Sequence, residues 1–238
     1  MSVIWIALVV ILITMLFLWK SFPTVAAGAS RRVPYTVHLF WGFWDPPSPL
    51  PPVVRNAVSM WKRAGVSDVK IWLPANLEPI VRKLGGGQAW DAANNIQKCD
   101  LARYALLYKR EGLYSDLDCV VPPNFAFSLE ASPKPVRLFL EQLVKPEFAQ
   151  KQAEKFSIRK GKPEDPIRVA NYCMQSTKPG EPYFLRCFRL ACQRIVQKGP
   201  LPKIPHGEMW GEEAYNVIWT SGPDVTSTVY AELSPSEK

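Results

Sequence analysis

The stretch "NIQKCDLARYALLYKREG" at residues 95–112 runs directly into "LYSDLDCVV" at residues 113–121. In the first part, apolar residues recur at the spacing of a helix that buries one face: Leu101, Tyr104, Ala105 and Tyr108. Basic residues follow in the last turn, and Gly112 supplies a helix stop. The second part is apolar and aromatic and is cut off at Pro122, which predicts a strand. A helix leading into a strand favours an α/β fold.

Strands and helices alternate on both sides of this stretch. The other predicted strands lie at residues 33–41, 69–73, 167–174 and, with a turn, 214–223. The other predicted helices lie at residues 52–63, 76–84 and 182–196. This order predicts an α/β domain with a mostly parallel central sheet flanked by helices.

The amino terminus has the composition of a membrane segment. Residues 3–19 carry no charge over seventeen positions, which is the lower limit for a helix that crosses a bilayer. We therefore expect a single-pass membrane anchor at residues 1–20, a short stem at 21–32 and one domain at 33–238. A cleaved signal peptide is the alternative, because small residues at 25–30 resemble a cleavage site. The basic residues after the span favour a cytoplasmic domain by the positive-inside rule, so the topology stays open.

Composition excludes several classes of protein. The net charge of +8 suits nucleic acid, an anionic membrane or a phosphate-bearing substrate as partner. No nucleic-acid-binding motif appears, which argues against nucleic acid. Five cysteines without a CxxC pair form neither a disulfide framework nor a zinc site, although one bridge remains open. Two histidines are too few for a histidine-rich metal site.

Two carboxylates follow the central helix at Asp116 and Asp118. On a strand, residues two apart face the same way, so both side chains point at one place. Like charges raise each other's pKa unless a cation relieves them. Mg²⁺ and Mn²⁺ bind hard oxygen ligands and use one or two carboxylates together with substrate phosphates. The pair therefore predicts a divalent metal that receives a diphosphate.

The whole segment "CDLARYALLYKREGLYSDLDCVV" resembles the core of glycosyltransferase family 32, in which Asp-x-x-Arg-Tyr, a helix and Gly-x-Tyr-x-Asp-x-Asp follow each other. That family contains DXD sugar transferases related to yeast initiating α-1,6-mannosyltransferases and inositol-phosphoceramide mannosyltransferases. "VPYTVHLFWG", "ANYCMQSTKPGEPYF" and "TSGPDVTSTVY" resemble further segments of it. The resemblance implies a GT-A-like nucleotide-diphospho-sugar transferase fold, retention of anomeric configuration, and a place in the Golgi or ER lumen.

The resemblance also implies roles for four charged residues. Asp118 would bind Mn²⁺ or Mg²⁺ directly, and Asp116 would contact the nucleotide ribose and the metal shell. Asp100 and Arg103 would hydrogen-bond the hydroxyls of the donor sugar. Their spacing of three residues also suits an ordinary ion pair on one helix.

Four further positions match the donor pocket of the family. Trp41 would stack on the nucleobase and Tyr114 would support the sugar, although both types of residue also suit a core. Asn171 and Gly222 would line the donor pocket. Together the residues predict a metal-dependent transferase that moves a hexose from a UDP- or GDP-sugar to a glycan or glycolipid acceptor.

The chain departs from the family pattern after Gly222. No histidine follows His206, so the third metal ligand is unassigned, and His206 is the weak substitute. A catalytically degenerate, membrane-tethered module that binds a nucleotide sugar or a partner is therefore the alternative. A metal-dependent phosphohydrolase is disfavoured, because no further cluster of carboxylates or histidines is present.

Overall fold

The computed structural model describes residues 33–45, 48–122, 125, 134–142, 167–200 and 212–234. The chain divides into two units, Met1–Arg31 and Arg32–Lys238, and every described residue belongs to the second. The predicted anchor at residues 1–20 and the stem at 21–32 therefore lie outside the described residues. Within the described ranges, no helix combines the length and the apolar character needed to cross a bilayer.

Among the described residues, five strands form one sheet: β1 (Val33–Phe40), β2 (Val66–Trp72), β3 (Gly112–Ser115), β4 (Val136–Gln142) and β5 (Ile167–Ser176). Their order across the sheet is β2-β1-β3-β5-β4. β1 is parallel to β2 and β3, whereas β5 is antiparallel to both β3 and β4. Four strands thus point one way and β5 runs against them. The predicted α/β class is confirmed, but the sheet is mixed rather than built mostly of parallel pairs.

The described part of the chain contains seven helices: α1 (Pro52–Arg63), α2 (Pro74–Lys83), α3 (Gly87–Ala92), α4 (Asn95–Lys109), α5 (Pro182–Lys198), α6 (Glu212–Thr220) and α7 (Pro223–Ala231). The helices predicted near 52–63, 76–84, 95–112 and 182–196 are confirmed, with ends that shift by a few residues. Strands predicted at 33–41, 69–73 and 167–174 are confirmed in the same sense. β4 and the short helix α3 have no counterpart among the predictions.

The central helix α4 has well-defined ends. At its start, Asn94 Oδ1 accepts from the Gln97 backbone N–H at 3.0 Å, and Gln97 Oε1 accepts from the Asn94 N–H at 2.9 Å. At its end, the chain reaches β3 through Gly112, whose φ is +133°. A Cβ at this position would lie 2.4 Å from Nε2 of His38 and 2.6 Å from the carbonyl oxygen of Thr36. Only glycine therefore lets β3 begin so close to β1.

The core lies on both faces of the sheet. On one face, α4 and α5 pack together through large buried side chains: Leu101, Tyr104, Leu107, Phe184 and Phe188. On the other face, α1 packs Trp61 against residues of β1 and β3: Val37, Leu39 and Leu113. α4 is buried along most of its length, so its polar residues lie inside the protein.

The strand predicted at 113–121 is wrong in its second half, because β3 ends at Ser115. The last ladder pair of β3 with β5 is Ser115–Cys173, and the Asp116 N–H still bonds the Tyr172 carbonyl at 2.8 Å. After Asp116 the chain turns, and the Cys119 N–H bonds the Asp116 carbonyl at 3.4 Å. The two aspartates of the motif therefore lie in a turn after the strand, not on one strand face.

The strand and turn predicted at 214–223 are also wrong. This segment forms α6 and a sharp corner into α7. The β-branched and aromatic residues suggested a strand, but Val217 and Ser221 lie one helical turn apart and both are buried. The carbonyl of Trp219, near the end of α6, accepts from Arg194 Nη1 at 2.8 Å. Tertiary contacts thus outweigh the local strand preference.

Candidate functional site

The carboxyl ends of β1 and β3 meet the first half of α4 at one edge of the sheet. β1 and β3 are parallel, with Val37 opposite Leu113 and His38 opposite Tyr114. α4 ends shortly before β3 begins, so it runs back along the sheet and its early turns lie where β3 ends. In α/β proteins, ligands bind at this edge.

The two aspartates of the turn have different surroundings. Oδ1 of Asp116 accepts a short hydrogen bond from the Tyr114 hydroxyl and lies 3.5 Å from Nη2 of Arg103. Oδ2 of Asp116 has no hydrogen-bond partner among the described residues, and 32% of the side chain is exposed. Asp118 is exposed, and its carboxylate has neither a hydrogen bond nor an ion pair within the described part of the chain. Both aspartates therefore keep oxygen atoms free for a ligand.

Behind this pair lies a buried ion pair between Asp100 and Arg103. Nη2 of Arg103 is 3.2 Å from Oδ1 of Asp100, and the two side chains are 6% and 3% exposed. The Arg103 guanidinium also stacks on the Tyr114 ring at 4.6 Å, and its Nη1 donates to the Asn171 carbonyl at 2.7 Å. Arg103 thus touches both Asp100 and Asp116, and it joins α4 to the turn.

Asp100 is held by donors from three elements. Oδ1 accepts from Nδ2 of Asn171 at 2.9 Å and lies 3.2 Å from Nη2 of Arg103, and Oδ2 accepts from the Ser221 hydroxyl at 2.6 Å. Burial raises the pKa of Asp100 to about 6, while Arg103, Ser221 and Asn171 oppose this shift. The carboxylate is therefore engaged inside the protein and does not face solvent.

A bulge in β5 supplies the contacts from this strand. β4 places one residue between Leu138 and Leu140, whereas their β5 partners, Met174 and Val169, are separated by four. The extra residues break the alternation of side chains, as bulges beside active sites commonly do. As a result, the side chain of Asn171 faces α4.

The bulge also offers its backbone to the turn. The Tyr172 carbonyl accepts from the Asp116 N–H at 2.8 Å. The turn is thereby fixed to β5 by its main chain, and the Asp116 side chain is left to Tyr114 and Arg103.

The site contains more carboxylates than basic groups among the described residues, and this favours the binding of a cation. Among the residues that the structure describes, Arg103 is the one base in direct contact with Asp100 and Asp116, and Asp118 adds a third carboxylate. Loss of solvation raises the pKa of Asp116. Arg103 and Tyr114 oppose this shift, and the charge of Asp118 reinforces it. Burial raises the pKa of Tyr114 well above its ordinary value, so its hydroxyl stays a donor.

The described side chains fit Mg²⁺ or Mn²⁺ in one arrangement only, in which two carboxylates of the protein bind the ion. Within the described residues, no group of three or more His, Cys, Asp or Glu side chains comes together as a metal site. Asp116 and Asp118 provide two carboxylates on one turn, and the remaining positions of the metal would belong to water and phosphate. His206, the other residue considered from the sequence, lies outside the described residues.

The remaining predicted residues lie around this edge or behind it. Trp41 directly follows β1 and is partly buried. Its backbone N–H donates to the Trp72 carbonyl at 3.0 Å. Gly222 lies in the corner between α6 and α7, where a Cβ would be 2.9 Å from the Ile218 Cα. Gly222 is thus required by the close packing of this corner.

Sequence reasoning missed Ser221. It contacts Asp100 directly, yet it lies in the segment that the β-branched pattern assigned to a strand and turn. The quoted match "TSGPDVTSTVY" was the available signal, since a polar residue precedes its Gly-Pro. Only the three-dimensional structure brings this corner next to α4.

Residues 74–133 match the family model of a glycosyltransferase sugar-binding region containing a DXD motif. The match supports a glycosyltransferase. It contains five of the predicted site residues: Asp100, Arg103, Tyr114, Asp116 and Asp118. Trp41, Asn171 and Gly222 lie outside it. A region of this kind implies a nucleotide-sugar donor and an acceptor. No curated protein matched the chain.

Proposed function

We propose that the protein is a metal-dependent glycosyltransferase of family 32. It moves a hexose from a UDP- or GDP-sugar to a glycan or glycolipid acceptor and retains the anomeric configuration. The observation that carries the proposal is the turn after β3. There, Asp118 and Oδ2 of Asp116 have no partner among the described residues, and the turn lies inside the matched sugar-binding region.

In this mechanism, Asp118 and Asp116 would hold Mn²⁺ or Mg²⁺. When bound, the ion would neutralise the charge that develops on the leaving diphosphate. Tyr114 and Arg103 fix Oδ1 of Asp116, so that Oδ2 faces the ligand. A carboxylate held in this way needs no reorganisation during the reaction, and this lowers the barrier.

Asp100 acts together with Arg103 in this scheme. The two side chains are almost fully buried, so little of either is available to contact the donor sugar. The main role of Asp100 is to keep the Arg103 guanidinium beside Asp116. Trp41 supports the nucleobase at the end of β1, and Asn171 holds Asp100 from the β5 bulge.

The cellular setting belongs to the same proposal. An anchor at residues 1–20 would place the domain at a membrane, where glycolipid acceptors are found. The Golgi or ER lumen suits the family resemblance. A mannosyl donor is the first choice because the related transferases named above transfer mannose.

The test is donor hydrolysis by the full-length chain with Mn²⁺, over a set of UDP- and GDP-sugars. We expect Asp118→Asn to lower turnover at least a hundredfold, because it removes the exposed carboxylate of the metal site. Asp91→Asn is the matched control, since Asp91 is an exposed carboxylate that pairs with Arg82 away from the turn. Equal turnover by wild type and Asp118→Asn would contradict the proposal.

A binding module without turnover is the second candidate. The observation that favours it is the engagement of Asp100 and Arg103 with each other and with Asn171 inside the protein. Metal-dependent binding of UDP or GDP without hydrolysis of any donor, in the same assay, would select it.

A further inference from the structure

Ser221 makes the shortest hydrogen bond to Asp100. Its hydroxyl lies 2.6 Å from Oδ2, and Ser221 is completely buried. Asn171 and Arg103 both engage the other oxygen, Oδ1. Ser221 is therefore the one described donor to Oδ2, and it fixes the rotation of the carboxylate.

The corner that carries Ser221 is tied to one face of α4. Gln97 Nε2 donates to Oγ1 of Thr220 at 2.8 Å, and the Tyr104 hydroxyl donates to the Ser221 carbonyl at 2.7 Å. Gln97, Asp100 and Tyr104 are spaced three and four residues apart, so they face the corner together. These two hydrogen bonds fix the backbone around Ser221 against α4.

A continuous series of contacts leads from this corner to the turn. Ser221 holds Asp100, Asp100 holds Arg103 at 3.2 Å, and Arg103 lies 3.5 Å from Oδ1 of Asp116. Each of these side chains except that of Asp116 is almost fully buried, so water cannot take over a missing contact. A change at Ser221 therefore reaches Asp116 through two fixed side chains.

We propose that Ser221 is a positioning residue of the glycosyl transfer reaction. Its hydrogen bond to Asp100 keeps Arg103 beside Asp116, and thereby keeps Asp116 directed at the bound donor. The inference rests on the proposed function. It adds a residue from the α6–α7 corner, which lies outside the matched sugar-binding region.

The test compares Ser221→Ala with Ser227→Ala in the full-length chain. Ser227 is a buried serine of the neighbouring helix α7, and its hydroxyl makes two hydrogen bonds, with the Val169 N–H at 2.9 Å and the Pro223 carbonyl at 2.7 Å. It does not touch Asp100. Both variants lose buried hydrogen bonds, so both are expected to lower the melting temperature.

The measurement is kcat and KM of donor hydrolysis with Mn²⁺, using UDP-glucose, UDP-galactose and GDP-mannose. For Ser221→Ala we expect kcat to fall about tenfold, the size of one hydrogen bond to a charged group. KM should change less than threefold, because Asp118 is exposed and its proposed contact with the metal does not depend on Ser221. For Ser227→Ala, both constants should stay within twofold of wild type.

The possible failures are distinguishable. Equal kinetic effects in the two variants, or none in Ser221→Ala, would overturn the positioning role while the glycosyltransferase proposal stands. A Ser221→Ala chain that does not fold, beside a folded Ser227→Ala chain, would also overturn it, because the hydroxyl would then serve folding. A wild-type chain that neither hydrolyses these donors nor binds UDP or GDP would overturn the proposed function itself.

Discussion

Asp116 and Asp118 are two positions apart in the sequence, yet only one of them is exposed and without a partner among the described residues. The alternation of a strand predicts that both side chains face one way, and this holds only while the strand continues. Because β3 ends at Ser115, Asp116 is held by Tyr114 and Arg103, whereas Asp118 projects from the turn. The residue types were predictable from the sequence, but the division of their surroundings was not.

His38 gives a prediction for pH dependence. It is buried, its Nδ1 accepts from Trp72 Nε1 at 3.1 Å, and its Nε2 lies 3.0 Å from the Glu111 carbonyl. Burial lowers the pKa of His38 from 6.5 to about 4, with the carbonyl of Glu111 opposing the shift and Lys70 and Arg110 reinforcing it. The folded protein therefore keeps His38 neutral, while the unfolded chain binds a proton below pH 6.5.

The stabilisation by neutral His38 is complete above pH 6.5 and is lost as the pH falls toward 4. Between these limits we expect wild type to lose about 3 kcal/mol of unfolding free energy relative to His38→Gln, measured by urea unfolding. Asp100 acts in the opposite direction, because its pKa is raised to about 6. It is present in both proteins, so the difference between them isolates His38. Parallel pH profiles would contradict the assignment.

At the scale of elements, the bulge in β5 builds the site. It aims Asn171 at Asp100 and gives the Tyr172 carbonyl to the Asp116 N–H. The sequence predicted the strand at 167–174 correctly, but nothing in "IRVANYCM" marks the extra residues. A bulge depends on the partner strand, and β4 had no counterpart among the predicted elements.

Side chains of α7 form hydrogen bonds with backbone groups of β5 next to the bulge. The Thr226 hydroxyl donates to the Val169 carbonyl at 2.6 Å, and Ser227 accepts from the Val169 N–H at 2.9 Å. Side chains of a helix thus replace the strand partner that the short β3 cannot provide. The predicted strand at 214–223 missed this arrangement, because the corner is stabilised by contacts with α4 and β5.

Thr226→Val tests the closure of β5. The substitution removes the donor to the Val169 carbonyl, and Thr226 is completely buried, so water cannot replace it. We expect a loss of about 1 to 3 kcal/mol in the free energy of urea unfolding. Thr177→Val is the matched control: the exposed Thr177 donates to the Pro135 carbonyl at 3.2 Å, and we expect less than about 0.5 kcal/mol. Equal losses in both variants would contradict the role of α7.

At the scale of the molecule, the order of the strands and of every described helix except the short α3 was predictable up to β3. There, β2 and β3 each follow a helix, and the periodicity of the predicted elements is clear. Beyond β3 the sheet turns mixed, and its second half depends on pairings between distant residues. The matched sugar-binding region ends at residue 133, just before β4, so the family pattern adds no constraint there.

The central claim is that the turn after β3 binds a metal together with a nucleotide diphosphate. The most direct measurement is calorimetric titration of the full-length chain with UDP and with GDP, in the presence and absence of Mn²⁺. For at least one nucleotide we expect binding that requires Mn²⁺, that weakens at least tenfold in Asp118→Asn, and that stays within twofold in Asp91→Asn. Binding of equal strength without Mn²⁺, or in Asp118→Asn, would contradict the account.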